Sequence, residues 1–217
     1  MRKLFAATFV ILFLSAIDLS AQEYAISLKA STIGMHLELF RSLNSSFNVH
    51  VGGSFFKYNY KTTPGAKDDY SLDAHLTLNN FTALVDWMPF ESYSFRVSGG
   101  ICYNNNNPDV LAVPAVNKVI GGDVYNKDNL GNMGVNLTFN SLNPYLGVGM
   151  GNPLSEGRKI GYTFDLGFYY QGAPGVGLKA EGLLAPSASP AQEAIVEHNL
   201  KWFKFYPVLS FGITYKL

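Results

Sequence analysis

"VLSFGITYKL", Val208 to Leu217, sets the terms for reading the rest of the chain. Leu209, Phe211, Ile213, Tyr215 and Leu217 alternate without a miss with Val208, Ser210, Gly212, Thr214 and Lys216. Successive side chains of a strand point to opposite faces, so this segment is a strand with one bulky apolar face and one small or polar face. Alternation alone leaves open whether the apolar face packs on a protein core or on lipid.

The same pattern recurs upstream. "GYTFDLGFYYQ" sets Tyr162, Phe164, Leu166, Phe168 and Tyr170 against Gly161, Thr163, Asp165, Gly167 and Tyr169. "FRVSGGICYN" sets Phe95, Val97, Ile101 and Tyr103 against Arg96, Ser98, Gly100 and Cys102. "FNVHVGGSF" sets Phe47, Val49, Val51 and Phe55 against Asn48, His50, Gly52 and Ser54, and "NPYLGVGMG" sets Leu146, Val148 and Met150 against Tyr145, Gly147 and Gly149. A small membrane barrel crowds a Gly-rich, charge-poor face of this kind into a narrow lumen and turns the bulky face to lipid. A soluble sandwich or lipocalin-like barrel is the alternative that buries the bulky face.

The first residues favour lipid. Arg2 and Lys3 precede the apolar run Leu4 to Ile17, and small residues Ser20 and Ala21 close it, the order of a secretory signal removed after Ala21. Asp18 interrupts the run too early for a spanning helix, and no other segment is long and apolar enough to be one. An exported chain entering a membrane then does so with strands. The expected organisation is residues 1–21 as signal peptide and 22–217 as one barrel domain in the outer membrane of a Gram-negative bacterium, with outer-membrane lipid as its first partner.

Composition narrows the function. Sixteen Lys+Arg balance sixteen Asp+Glu, so nothing advertises nucleic-acid binding. The single cysteine, Cys102, forms no intramolecular disulfide. His36, His50, His75 and His198 show no metal spacing, and neither a metal nor any other cofactor is implied. "GVGMGN" lacks the spacing of a phosphate loop and runs into Asn152 and Pro153, so inward glycines of a tight barrel explain it better.

A family resemblance rests on several of these stretches. "LVDWMPF", "FRVSGGICYNNN", "NPYLGVGMGN", "FDLGFYYQGAPGVGL" and "FKFYPVLSFGITYKL" resemble a group of small bacterial outer-membrane β-barrels. The likeness to OmpW-like, OmpX-like and ornithine-uptake porin proteins is more distant. The last strand, with Tyr215 two before Leu217, also looks like the signal read by the barrel assembly machinery, although Leu217 stands where Phe is usual. The resemblance implies a barrel of about eight strands and little about activity.

The fold class expected is all-β: a closed antiparallel transmembrane β-barrel of about eight strands with one short helix in a long loop. Strands are placed near 23–31, 33–41, 47–60, 72–88, 95–107, 139–151, 160–171 and 205–217. "SLNSS", "PFESYS" and "NPLSEGRK" then form short periplasmic turns, and 61–71, 108–138 and 172–204 form long outer connections. Aromatic clusters, among them Phe56, Tyr58 and Tyr60, Trp87 and Phe90, Tyr169 and Tyr170, and Trp202 and Phe205, suit interfacial girdles. At Ser31 and Thr32 the apolar phase flips, through either a tight hairpin or a bulge. A bulge would make "VGLKAEGLL", Val176 to Leu184, the missing strand. Ser189, Pro190 and Gln192 predict the helix start.

The alternation sends Lys29, Glu38, His50, Asp86, Arg96 and Asp165 toward the lumen from different strands. Such groups pair in a narrow barrel, either as a plug that holds the fold together or as a selectivity lining for small zwitterionic solutes. No catalytic residue is assigned. The functions expected are a narrow or plugged solute channel, a surface-interaction or envelope-integrity barrel acting through its loops, or an envelope hydrolase or acyltransferase. A Ser or Asp beside a His near the outer rim would favour the last.

Overall fold

The computed structural model describes residues 24–62, 70–90, 94–120, 123–155 and 157–217. The expected signal peptide, 1–21, and residues 91–93 of "PFESYS" lie outside the described residues. The elements are, in chain order, β1 (Tyr24–Ser31), β2 (Gly34–Ser42), β3 (Phe47–Lys61), β4 (Tyr70–Trp87), β5 (Phe95–Asn104), β6 (Asn107–Pro114), β7 (Lys118–Ile120), β8 (Asp123–Tyr125), helical turn α1 (Lys127–Leu130), β9 (Met133–Thr138), β10 (Leu142–Met150), β11 (Ile160–Tyr170), β12 (Gly175–Ala180), a 3-10 turn (Gly182–Ser187), α2 (Pro190–Asn199) and β13 (Phe205–Lys216).

Eight of the strands close on themselves. The order runs β4-β3-β2-β1-β13-β11-β10-β5, and the pairing of β5 with β4 completes the circuit, all antiparallel. Ala25 pairs with Lys216 and Ser31 with Ser210, so the first described strand is sealed against the last. Closure removes the edges that an open sheet of this length would expose. The 11 residues of β11 rise about 36 Å along the strand, which a tilt near 45° reduces to roughly the 25 Å apolar band of such barrels.

The phase flip at Ser31 is a hairpin. β1 pairs with β2 from Tyr24↔Arg41 to Ser31↔Gly34, and Gly34 takes φ of 111°, left-handed space that a side chain would oppose. "VGLKAEGLL" is therefore no wall strand. Its first part forms β12, in a sheet that leaves the barrel.

That extension, continuous with the barrel wall through β3 and β4, is the main departure from the expected loops. β3 and β4 run on beyond the ring to Lys61 and Tyr70, and β6, β9 and β12 add to β4 in turn, giving the order β3-β4-β6-β9-β12. The expected outer connections 108–138 and 172–204 thus carry strands, which short-range pattern reading cannot pair because their partners are distant in the chain. β7 and β8 make a separate small hairpin. α2 starts as expected, with the Ser189 side chain accepting from the Gln192 N–H at 3.4 Å.

The β3–β4 register is unbroken from Phe47↔Trp87 to Lys61↔Asp73, so each face can be followed from barrel to extension. Along the ring the outward face is apolar: Leu28, Leu37, Val85, Leu146, Phe164 and Phe211 are all exposed. Aromatics mark its ends, with Phe47, Trp87 and Tyr215 toward the chain termini and Phe81, Tyr103 and Tyr170 toward the extension. Beyond Phe55 the polarity inverts. The outward face becomes Lys57, Asn59, Thr77, His75 and Asp109, while the inward face becomes Phe56, Tyr58, Tyr60, Leu76 and Val110. Phe56, Tyr58 and Tyr60 are therefore not a lipid-facing girdle. They stack along the inner side of the extension, with centroids 6.3 and 6.4 Å apart. Tyr169 likewise points inward, whereas its neighbour Tyr170 points outward.

Candidate functional site

The lumen contains one polar constellation whose parts come from six strands. Lys29 of β1 contacts Glu38 of β2 at 2.7 Å, and Glu38 faces His50 of β3 at 3.5 Å. His50 faces Asp86 of β4 at 3.3 Å, and Asp86 faces Arg96 of β5 at 3.7 Å. Arg96 is paired with Asp165 of β11, and Asp165 returns to Lys29 at 2.9 Å. The six residues expected to face the lumen thus meet at one height as a closed circuit in which Lys29, His50 and Arg96 alternate with three carboxylates. All six are buried, from Asp86 at 0% to Asp165 at 7% exposure, so the circuit is largely withdrawn from solvent.

Glycines on the two remaining strands, and one on β3, make room for it. A Cβ on Gly149 of β10 would collide with the side chains of Asp165 and Arg96, and one on Gly212 of β13 would meet Lys29. Gly52 of β3 does the same beside Glu38, at 2.6 Å from its Cγ. Ser98 donates to Asp86 at 2.5 Å and Ser210 to Asp165 at 3.2 Å, adding hydrogen bonds to carboxylates held away from water.

Apolar layers close the lumen on both sides of the circuit. Toward the termini, Phe40 stacks on the His50 ring at 4.4 Å and packs with Ala25 and with Leu154 from the turn after β10. Toward the extension, Ile33 of the β1–β2 turn packs with Leu84, Cys102, Tyr145, Tyr169 and Val208. The Tyr145 phenol occupies the space left by Gly147 and Gly167, which face each other across β10 and β11. Between this layer and the charges lies a cavity of about 20 Å³, enough for roughly one water. Ile33 corrects the sequence reading, which placed it in the strand 33–41 on the lipid-facing side with Met35 and Leu37: β2 begins only at Gly34, and Ile33, a turn residue without strand parity, folds inward to 2% exposure.

One arrangement meets the Ser-beside-His criterion set for an envelope hydrolase, at the β1–β2 turn on the extension side of the ring. Ser31 Oγ lies 2.8 Å from His36 Nε2, and His36 Nδ1 lies 3.6 Å from Glu38. The hydroxyl is already engaged: it donates to the Gly34 carbonyl at 3.0 Å and accepts from the Ile33 N–H at 3.1 Å. Glu38 is held by Lys29, and Ile33 lies buried over the turn. A nucleophile needs an approaching carbonyl and donors for its oxyanion, and here the hydroxyl's neighbours form the turn itself. Among the described residues, no group of three or more His, Cys, Asp or Glu is arranged to hold a metal ion.

A closed ring of eight antiparallel strands, an outward apolar belt ended by aromatics and a packed polar lumen define a small outer-membrane type of transmembrane β-barrel. Solved structures share this fold, among them two from one organism. CarO2 of Acinetobacter baumannii matches with a TM-score of 0.62 and 18% identity over 90% of this chain and 98% of its own. CarO of the same organism matches at 0.60 and 19% identity over 89% and 97%. At such identities the likeness is one of fold. The sequence matches no protein-family model and no curated protein sequence.

Proposed function

We propose that the protein is a plugged, non-catalytic barrel of the Gram-negative outer membrane that acts at the cell surface through its extension sheet, with no standing pore. The observation that carries this reading is the stack of three filled layers: Tyr145 with Tyr169, the six-residue charge circuit, and Phe40 with Leu154. Eight strands leave an interior just wide enough for side chains, and here side chains occupy it. The engaged Ser31 hydroxyl supports a role without catalysis.

A narrow solute channel is the second reading, favoured by a lining of both signs beside a water-sized cavity. The two separate in a flux experiment. Liposomes containing the folded protein are expected to take up zwitterionic amino acids no faster than empty liposomes. Saturable uptake abolished by Asp165→Asn would establish the channel instead.

A further inference from the structure

The extension sheet has two edges, and they are finished differently. At β12, Glu193 and Glu197 of α2 accept the outward N–H groups of Leu178 at 2.8 Å and Val176 at 3.0 Å. That edge is capped. At the other edge, β2 pairs with β3 only as far as Met35↔Phe55, and among the described residues no strand continues alongside Phe56 to Lys61.

The direction of the backbone groups on this edge follows from the ladder. Asn79 N–H donates to Asn106 and its carbonyl accepts from Asn105, both on the side away from β3. Its partner Phe55 accordingly directs its own groups to β2, and Thr62 N–H donates to Leu72 of β4. Both groups of a residue point to one side and the sides alternate, so Lys57, Asn59 and Lys61 direct their N–H and C=O to the open edge. Their side chains lie on the outward polar face. The Phe56, Tyr58 and Tyr60 rings lie on the other face, and Tyr58 is 53% exposed.

We infer that the Phe56–Lys61 edge is a docking site for an extended segment of another protein, which adds a strand to the extension sheet and alternates acidic with apolar or aromatic side chains. This deepens the surface role proposed above and rests on it. Backbone pairing supplies affinity in strand addition, and alternate side chains supply specificity. Lysines on an edge discourage pairing with an arbitrary strand. Lys57 matches a carboxylate placed directly opposite, and so does Lys61, whose exposed ammonium reaches Asp73 of β4 at 3.6 Å on its other side and has donors to spare, while the aromatic ladder matches apolar groups on the other face. A second copy of this chain fits less well, because it would bring all four lysines into one short seam.

The test uses the full barrel in lipid nanodiscs and a fluorescein-labelled peptide alternating glutamate with valine and tyrosine. A control peptide carries lysine at each glutamate. The glutamate peptide is expected to bind saturably, and the lysine peptide about tenfold more weakly or worse. Asn59→Pro removes an outward N–H without touching the β4 ladder, a place where an edge strand tolerates proline. It is expected to lose about tenfold or more in affinity, as is the Lys57→Glu, Lys61→Glu double variant. Equal binding by Asn59→Pro and the wild type, equal binding of the two peptides, or no binding would overturn the inference. So would a wild-type dimer that Asn59→Pro converts to monomer, since the occupant would then be a second copy. Amino-acid flux measured on the same preparations keeps the two ideas apart: flux refutes the plugged barrel, and lost peptide selectivity in a closed barrel refutes only the docking site.

Discussion

Gly149 shows what a single residue contributes to the lumen. Its missing side chain is the space in which Arg96 and Asp165 meet, whereas a Cβ on Gly99, on the outward face of β5, would have only the Tyr145 carbonyl within reach, at 3.9 Å. Gly149→Ala is expected to cost about 1–3 kcal/mol by overpacking, and Gly99→Ala to stay within about 0.5 kcal/mol, as read from urea unfolding in lipid vesicles. Asp165→Asn is expected to cost more, about 3–5 kcal/mol, because it leaves Lys29 and Arg96 buried without the carboxylate they share. Equal losses at Gly149 and Gly99 would mean the circuit is not tightly packed. The inward direction of all six charged residues was legible in the alternation. Their common height was not, because it depends on how far each strand is staggered against the next, which only the register reveals.

At the scale of elements, β4 is two kinds of strand in one. Val85 and Thr77 lie on the same face of the same uninterrupted strand, yet Val85 belongs to the apolar belt and Thr77 to the polar outer side of the extension. Val85→Arg, within the apolar belt between Trp87 and Phe81, is expected to cost about 2–4 kcal/mol, and Thr77→Arg about 0–1 kcal/mol, measured by the same unfolding assay. Comparable losses would mean that the membrane reaches past Phe55. The inversion was visible as the consecutive Phe55 and Phe56, but alternation read without a register takes the second run of aromatics as more of the same belt. The partnership of β6, β9 and β12 had no local signature at all. α2 illustrates how such an added sheet is finished, since Glu193 and Glu197, one turn apart, face the backbone of β12. Replacing both with Gln weakens two charge-assisted hydrogen bonds. Faster hydrogen exchange at Val176 and Leu178, with the barrel amides unchanged, is the expected result, and unchanged protection would show that the glutamates do not hold the edge.

For the whole molecule, the order of the layers decides what opening the barrel would require. A solute crossing from the extension side meets Tyr145 and Tyr169 first, then the charge circuit, then Phe40 and Leu154. Barriers in series are dominated by the highest, so removing one layer leaves flux set by those that remain. The charge circuit is anchored in six strands and the tyrosines in two, which makes the wall rather than any loop the support of the plug. This separates the protein into a closed trunk and an exposed sheet that can change independently, as the inversion of polarity beyond Phe55 already indicates. Tyr145→Ala with Tyr169→Ala is expected to leave liposomes impermeable to amino acids, and so is Arg96→Ala with Asp165→Ala. A variant combining those four changes with Phe40→Ala and Leu154→Ala should leak, provided a folded barrel is confirmed by its resistance to unfolding in cold detergent. Flux through the tyrosine variant alone would place the whole barrier in the upper layer and reduce the charge circuit to a lining.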